Sequence, residues 1–273
     1  MSISIFGGVK NVSEFLDHVE SLHKSWVVKE KPKIKGTAIS LWFRGQPNAN
    51  WGLVPKLQRP EYREAVEEEI RQEFKSRALQ LIQGRLPANE FEWYFLMQHY
   101  GVPTRLLDWT DNPLVGLFFA LDGHPGNCDA AVWALDPWWL NEKNRQADVD
   151  GPLLAEWAES EKWLLPLEVA FEGKKIAGRL PAALDPPHVD RRLQMQGSHF
   201  VIFGKERTDL ATINWTRRKD CHLAKILIPS GSVKAVFEEL QNCGTTYFSV
   251  FPDLNGLGEE IRRRWRLQLP AGN

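Results

Sequence analysis

The sequence predicts an α+β fold, a mixed and mostly antiparallel sheet core flanked by helices. Three observations lead there. Short apolar strand patterns and amphipathic helix patterns are mixed without a regular βα alternation, which disfavours a doubly wound sheet. The chain has 273 residues, 43% of them hydrophobic and 25% charged, enough to bury a substantial core. One helical segment, residues 114–121, is apolar almost all round, as a helix sunk against a sheet must be.

Taken in order, residues 12–26 read as a helix, because Phe15, His18, Val19 and Leu22 recur at helical spacing. Residues 29–35 form a basic, Pro-bearing loop. Residues 37–45 alternate as a strand ending at Gly45, and 46–50 are rich in turn formers. From 61 to about 83 a long helix is predicted, with Tyr62, Val66, Ile70, Phe74, Ala78 and Leu81 as its apolar stripe. Leu86-Pro87 breaks it, and a second helix runs over 89–99. Residues 104–109 read as a short strand. Asp111-Asn112-Pro113 then starts the apolar helix, with a capping side chain followed by Pro in the first turn. Strands are predicted at 129–135, 200–203 and 223–228, and helices at 233–240 and 257–265. The Trp- and Pro-rich stretch 138–190 reads as short helices and long loops.

Bulk properties exclude several classes. With 34 basic and 35 acidic residues, no global field draws the chain to nucleic acid or to a membrane. The three cysteines (Cys128, Cys221 and Cys243) are widely spaced and form no CxxC, against a disulfide framework or cysteine zinc site. No segment approaches the roughly 18 apolar residues of a membrane span, and the first residues lack the basic and apolar regions of a signal peptide. A cytoplasmic location, with no membrane partner, is expected. Twelve Trp against four Tyr is unusual. Most of these indoles are expected in or around the core, and those beside Arg or Asp are candidates for a ligand site.

Two segments concentrate polar and aromatic residues. In Trp42-Phe43-Arg44-Gly45-Gln46, Arg44 lies at a strand end among aromatics. Such a guanidinium suits an anion or a stacking partner, or else a buried pair with a carboxylate. Gly45 would let a ligand approach the backbone closely. The second segment runs from Gln98 to Thr110. Arg105 and Asp108 are three apart on a short strand and should face opposite sides. His99 closes a helix, where an imidazole serves either as a C-terminal cap or in catalysis. These polar residues could also be an internal network that knits the core. The basic runs Arg191-Arg192, Arg217-Arg218-Lys219 and Arg262-Arg263-Arg264 are either solvated charge or phosphate contacts. There is no HExxH, Walker A loop, GxGxxG or GxSxG, so no metal site, kinase, dehydrogenase or common hydrolase is expected.

These segments resemble the signature of the FRG domain family, named for its Phe-Arg-Gly tripeptide, here Phe43-Arg44-Gly45. The pattern continues as Trp51-x-Leu53-x-Pro55, then without a break from Gln98-His99-Tyr100-Gly101-Val102-Pro103 to Asn112-Pro113. It runs on through Leu117-Phe118-Phe119-Ala120-Leu121 and Ala131 to Pro137, with later pieces at Arg192, Gln196-Gly197, Phe200 and 251–257. The resemblance spans roughly residues 37–258. It divides the chain into an N-terminal helical extension (1–36), the FRG domain (37–258) and a C-terminal helix and tail (259–273).

A more distant similarity is to the Arg-Ser-Glu class of ADP-ribosyltransferases, whose first motif is an aromatic-Arg-Gly strand end. It implies NAD as substrate, a protein or nucleic-acid acceptor, and a role such as bacterial toxin or anti-phage effector. Arg44, His99, Asp108 and Gln196 become catalytic candidates. Arg44, Gly45, Tyr100, Thr104, Arg105, Trp109 and Thr110 become NAD-binding candidates, with Trp109 or Tyr100 stacking on nicotinamide. The sequence departs from that class at Gln194-Met195-Gln196-Gly197, where a Glu is expected. An amide can hydrogen-bond a ribose hydroxyl but cannot offset positive charge or act as a base. Either Asp108 or Glu206 takes that role, or the cleft is a non-catalytic module binding a nucleotide, nucleic acid or protein.

Overall fold

The computed structural model describes residues 3–26, 40–62, 66–82, 84–144, 153–154, 181–186, 197–204, 208–213 and 221–266. Its centre is an eight-stranded sheet in the order β1-β8-β4-β2-β3-β7-β6-β5. The strands are β1 (Ser4–Phe6), β2 (Trp42–Gln46), β3 (Leu106–Thr110), β4 (Ala130–Leu135), β5 (Leu153–Leu154), β6 (Ala182–Asp185), β7 (Ser198–Ile202) and β8 (Leu223–Ile228). Only the two outermost pairs, β1 with β8 and β5 with β6, are parallel; the five others are antiparallel. The fold is the mixed, mostly antiparallel α+β arrangement that the pattern predicts. The loop at 29–35 lies outside the described residues, as does most of 138–190.

Eight α-helices appear among the described residues: α1 (Val12–Trp26), α2 (Glu67–Ala78), α3 (Glu90–His99), α4 (Pro113–Leu121), α5 (Pro137–Asn144), α6 (Val233–Asn242), α7 (Tyr247–Val250) and α8 (Leu254–Arg266). α1 covers the predicted span, and Val12, Phe15, Leu22 and Trp26 are its buried face. The start of α4 is also as the sequence reads. Asn112 accepts from the N–H groups of Leu114 (3.0 Å) and Val115 (3.4 Å), and Pro113 fills the first turn, where no N–H is needed.

The sheet separates two cores. On one face Phe43, Val132, Ala134, Ala224 and Ile226 meet α1, α4 and α6; on the other, Trp42, Leu107, Trp109, Trp133 and Val201 meet Trp139 and Leu140 of α5. Six of the nine tryptophans with described side chains are buried, as expected; Trp51 and Trp265 are exposed. Residues 3–26 are integral to the sheet, since β1 forms its edge and Phe15 is fully buried in the first core. A three-residue strand carries too little periodicity to be read from sequence.

The long helix predicted over 61–83 is shorter and more exposed than expected. Pro60–Tyr62 form a 3-10 turn, residues 63–65 are outside the described residues, and α2 begins at Glu67. Ala78 is its one buried residue, while Val66 is 50% and Leu81 79% exposed. Charge holds this helix instead. Arg71 pairs with Glu68 and Glu90, Lys75 pairs with Glu90, and Lys75 sits over the Trp93 ring.

One contact sets the centre of the sheet. A Cβ on Gly45 would lie 2.1 Å from the Gly116 carbonyl oxygen and 2.3 Å from the Ala120 nitrogen, so the α4 backbone rests directly on β2. Gly116 reciprocates, since its own Cβ would come 2.8 Å from that of Phe43. The space that a Cβ on Gly45 would need is therefore filled by α4, and the same glycine also lines the cleft between β2 and β3. At the far side of the sheet, His199 stacks on Trp42 (4.5 Å) with its Nδ1 2.8 Å from Asp185. Its Nε2 lies 3.6 Å from Asp111. Burial pulls the imidazole pKa down, but the Asp111 and Asp185 carboxylates outweigh it, and the net shift is upward.

Two outcomes are expected. Gly45→Ala should destabilise the protein by about 3 kcal/mol in urea unfolding, because neither backbone can yield without moving α4 off β2. A raised histidine pKa stabilises the fold fully below the ordinary value and loses that contribution as pH rises through the shifted one. His199→Gln should thus lower the melting temperature more at about pH 5.5 than at about pH 9; equal losses at both would show that His199 acts uncharged.

Candidate functional site

β2 and β3 are neighbours, yet they share a single register pair, Phe43 with Thr110. Each is fully paired on its other side, β2 with five residues of β4 and β3 with five of β7. Continuing the β2–β3 register would set Gly45 opposite Asp108. Instead Gly45 is pressed onto α4, the strands part, and the Asp108 carbonyl loses its ladder partner. The Arg44 side chain supplies the missing donor: its Nη1 donates to the Asp108 carbonyl oxygen at 2.6 Å. The same nitrogen lies 3.6 Å from the Asp108 carboxylate.

A cleft of about 1170 Å³ opens at this split. Arg44, Gln46 and Asp108 form its floor, Trp51 and Arg59 come from the segment after β2, and Gln98 and His99 from the end of α3. Phe119 of α4 and Ser198 of β7 add to the walls. Arg44 is well inside, its side chain 17% exposed, while Asp108 is 55% exposed. Arg44 Nε is buried with no partner, so the guanidinium's five donors are far from satisfied. Its pKa is lowered, chiefly by burial, against which Asp108 raises it and the nearby Arg59 lowers it further.

The Asp108 carboxylate is held in place. Both of its oxygens accept from Gln98 Nε2 at 2.9 Å. The Gln98 amide is itself oriented, since its Oε1 accepts from the Thr104 hydroxyl at 2.5 Å, and that hydroxyl accepts from the Leu106 N–H at 3.1 Å. This chain of bonds has one consistent direction: backbone N–H to hydroxyl, hydroxyl to amide oxygen, amide N–H to carboxylate. Thr104 is fully buried and serves the site only through this chain.

The structure sorts the remaining candidates. Thr110 lines the cleft with its hydroxyl accepting from the Asn112 N–H at 3.1 Å. His99 also lines it, half-buried, its ring edge-on to Tyr100 at 5.0 Å. Trp109 is on the wall but only 3% exposed, packed in the second core, so it offers no stacking face. Tyr100 is 69% exposed and is not among the cleft's lining residues. The two corrections have separate causes. The pleat turns Trp109 to the opposite side from Asp108, and Tyr100 lies beyond the last turn of α3.

Arg105 does not reach the cleft. It is a buried structural residue whose Nε donates to Glu67 at 2.9 Å, while Nη1 reaches the Phe203 carbonyl at 3.4 Å. The Tyr94 hydroxyl donates to the same Glu67 carboxylate, and burial, reinforced by that negative charge, raises the Tyr94 pKa so that it remains a donor. The internal-network reading thus holds for Arg105, whereas Arg44 and Asp108 open onto a cleft. Gln194, Gln196, Glu206 and the basic runs at 191–192 and 217–219 lie outside the described residues. The run at 262–264 is tied up internally: Arg262 and Arg263 pair with Glu259, Arg263 also with Asp122, and Arg264 with Glu260.

The sequence places Gln98 in the second segment without a role of its own, and it does not single out Arg59 or Trp51 as site residues. Trp51 sits in the family motif, which was a usable signal; nothing local marks Arg59. Among the described residues, no three His, Cys, Asp or Glu side chains converge as metal ligands. No helix among them is long and apolar enough to cross a membrane.

Fold and site together define an α+β protein with a cleft at a split in its sheet, lined by a largely buried arginine and an oriented aspartate. Residues 40–127, which carry β2, β3, α3 and α4, match the family model described as the FRG domain, and the chain carries an FRG domain there. No curated protein and no solved structure matches the chain.

Arg105→Ala should destabilise the protein by about 3 kcal/mol, because it strands the part-buried Glu67 carboxylate. Ligand binding by the fraction that remains folded should be unchanged. Denaturant unfolding run beside a binding titration separates the two, and a binding defect without a stability loss would return Arg105 to the site.

Proposed function

We propose that the cleft binds NAD and that the protein is an NAD-dependent ADP-ribosyltransferase-like enzyme modifying protein or nucleic acid. The observation that carries this reading is the placement of Arg44 and Asp108 in one cleft, where β2 and β3 part. The volume of about 1170 Å³ lies just above the usual range for small-molecule sites, about 300–1,000 Å³, and suits a dinucleotide. Arg44 has unused donors for a phosphate or ribose oxygen.

In such a transfer the bond between nicotinamide nitrogen and ribose C1′ breaks, and nicotinamide leaves with the electron pair. The acceptor's oxygen or nitrogen bonds to C1′ and gives up its proton. Asp108, open to the cleft and oriented by Gln98, is placed to offset the positive charge that builds on the ribose. Asp108 or His99 would take the proton, and Thr110 is available to the nicotinamide ribose. An enzyme of this kind would suit a toxin or anti-phage effector.

A second reading, a nucleotide-binding module without turnover, is favoured by one observation. Asp108 already accepts two bonds from Gln98 and has Arg44 beside it, so much of its charge is answered before any ligand arrives.

Incubation of the purified protein with NAD labelled on the adenylate, in the presence of cell extract, decides between them. Transferase activity predicts release of nicotinamide and labelling of an acceptor. Arg44→Ala should reduce that labelling about 100-fold, as for loss of a transition-state donor. Asp108→Asn should reduce it by at least about 100-fold. Saturable NAD binding that Arg44→Ala abolishes, with no nicotinamide released by the wild type, would instead establish the binding module.

A further inference from the structure

We propose that Arg59 completes, with Arg44, a two-guanidinium site for phosphate, so that the cleft selects phosphate-bearing nucleotides over uncharged nucleosides. This rests on the nucleotide reading of the cleft, and adds to it a residue and a substrate class.

The two arginines arrive from different parts of the fold. Arg44 is fixed on β2, with its Nη1 bonded to the Asp108 carbonyl and 3.6 Å from the Asp108 carboxylate, and with Nε unpartnered. Arg59 follows the short 3-10 turn Lys56–Gln58 on the segment that walls the cleft. It is exposed, and its side chain makes one long bond, Nε to the Val54 carbonyl at 3.4 Å. It forms no ion pair with a carboxylate among the described residues. Among the described residues, the carboxylates lining the cleft are Asp108, already engaged by Gln98 and Arg44, and the exposed Glu61.

Arg59 is close enough for its charge to act on Arg44, lowering its proton affinity. Two guanidinium groups lining one cleft repel each other, and the one ion pair they form among the described residues is that of Arg44 with Asp108 at 3.6 Å, a carboxylate that Gln98 also engages. An anion between them removes that repulsion, and a phosphate matches the planar donor fork of each. The rest of the segment is anchored, which fixes where Arg59 starts. Leu53 donates to Asp209 at 3.0 Å, Leu57 to the Thr104 carbonyl at 3.1 Å, and Gln58 to the Gly204 carbonyl at 2.8 Å. The backbone at position 59 is therefore held in place, while the guanidinium it carries is held by only one weak contact.

Calorimetric titration of the whole protein with ADP and with adenosine, at low and high salt, tests this. The wild type should bind ADP at least about 10-fold more tightly than adenosine, with the margin shrinking as salt rises. Arg59→Gln should weaken ADP about 10-fold and leave adenosine unchanged, and Arg59→Lys should fall between, since an ammonium lacks the fork. The melting temperature of Arg59→Gln should match the wild type, because an exposed side chain with one weak bond is lost. Wild-type protein that binds ADP and adenosine alike, or neither, overturns the proposal, as does Arg59→Gln binding ADP normally. ADP binding that depends on Arg59 without NAD turnover would remove the transferase reading and keep this one. Turnover indifferent to Arg59→Gln would do the reverse.

Discussion

The contact on which the site depends is the seat of α4 on β2. Gly45 and Gly116 let helix backbone meet strand backbone with no side chain between, and a helix buried on six of its nine residues has no freedom to back away. β2 is thereby committed to α4 and β4, while β3 is committed to β7. The interval between them cannot be closed by ladder bonds, and the cleft is the consequence. A cavity in the middle of a sheet normally leaves unpaired backbone groups, which are costly when buried. Here Arg44 satisfies the Asp108 carbonyl from the side and keeps its remaining donors for the cleft.

That bond links the fold to the chemistry. The strand separation positions Arg44, Arg44 marks the place of Asp108, and the Thr104–Gln98 chain turns the Asp108 carboxylate into a fixed acceptor. The chain runs from the buried Leu106 and Thr104 through the half-buried Gln98 to the open carboxylate. An arrangement of this kind needs little reorganisation when charge develops near it, which is the property a transfer reaction requires. Arg105, three residues before Asp108 and chemically as conspicuous, belongs to a separate network that ties β3's start to Glu67 at the head of α2.

Much of this was legible in the chain. The spacing of Phe15 and Leu22, the unbroken apolar run of 114–121 behind Asn112-Pro113, and the apolar 223–228 each define an element by short-range physics alone. The Phe-Arg-Gly and Gln98–Pro113 motifs located the cleft floor. Less was legible where the determinant is remote in sequence. β1 exists because β8 offers it an edge, and α2 is held by charges from α3, so its apolar stripe is not driven inward. The stacking role expected of Trp109 failed because alternation along β3 sends it to the core.

By itself, the sequence determined the fold class and most of the helices and strands, and it named Arg44 and Asp108 as candidates for one site. Those are matters of periodicity, capping and motif, all carried by neighbouring residues. Tertiary structure alone decided that Gly45 carries the seat of α4, that Arg105 and Tyr100 stand off the cleft, and that Arg59 stands in it. Each of these depends on which backbone lies within a few ångströms of which, and that distance is set by packing between elements far apart in the chain.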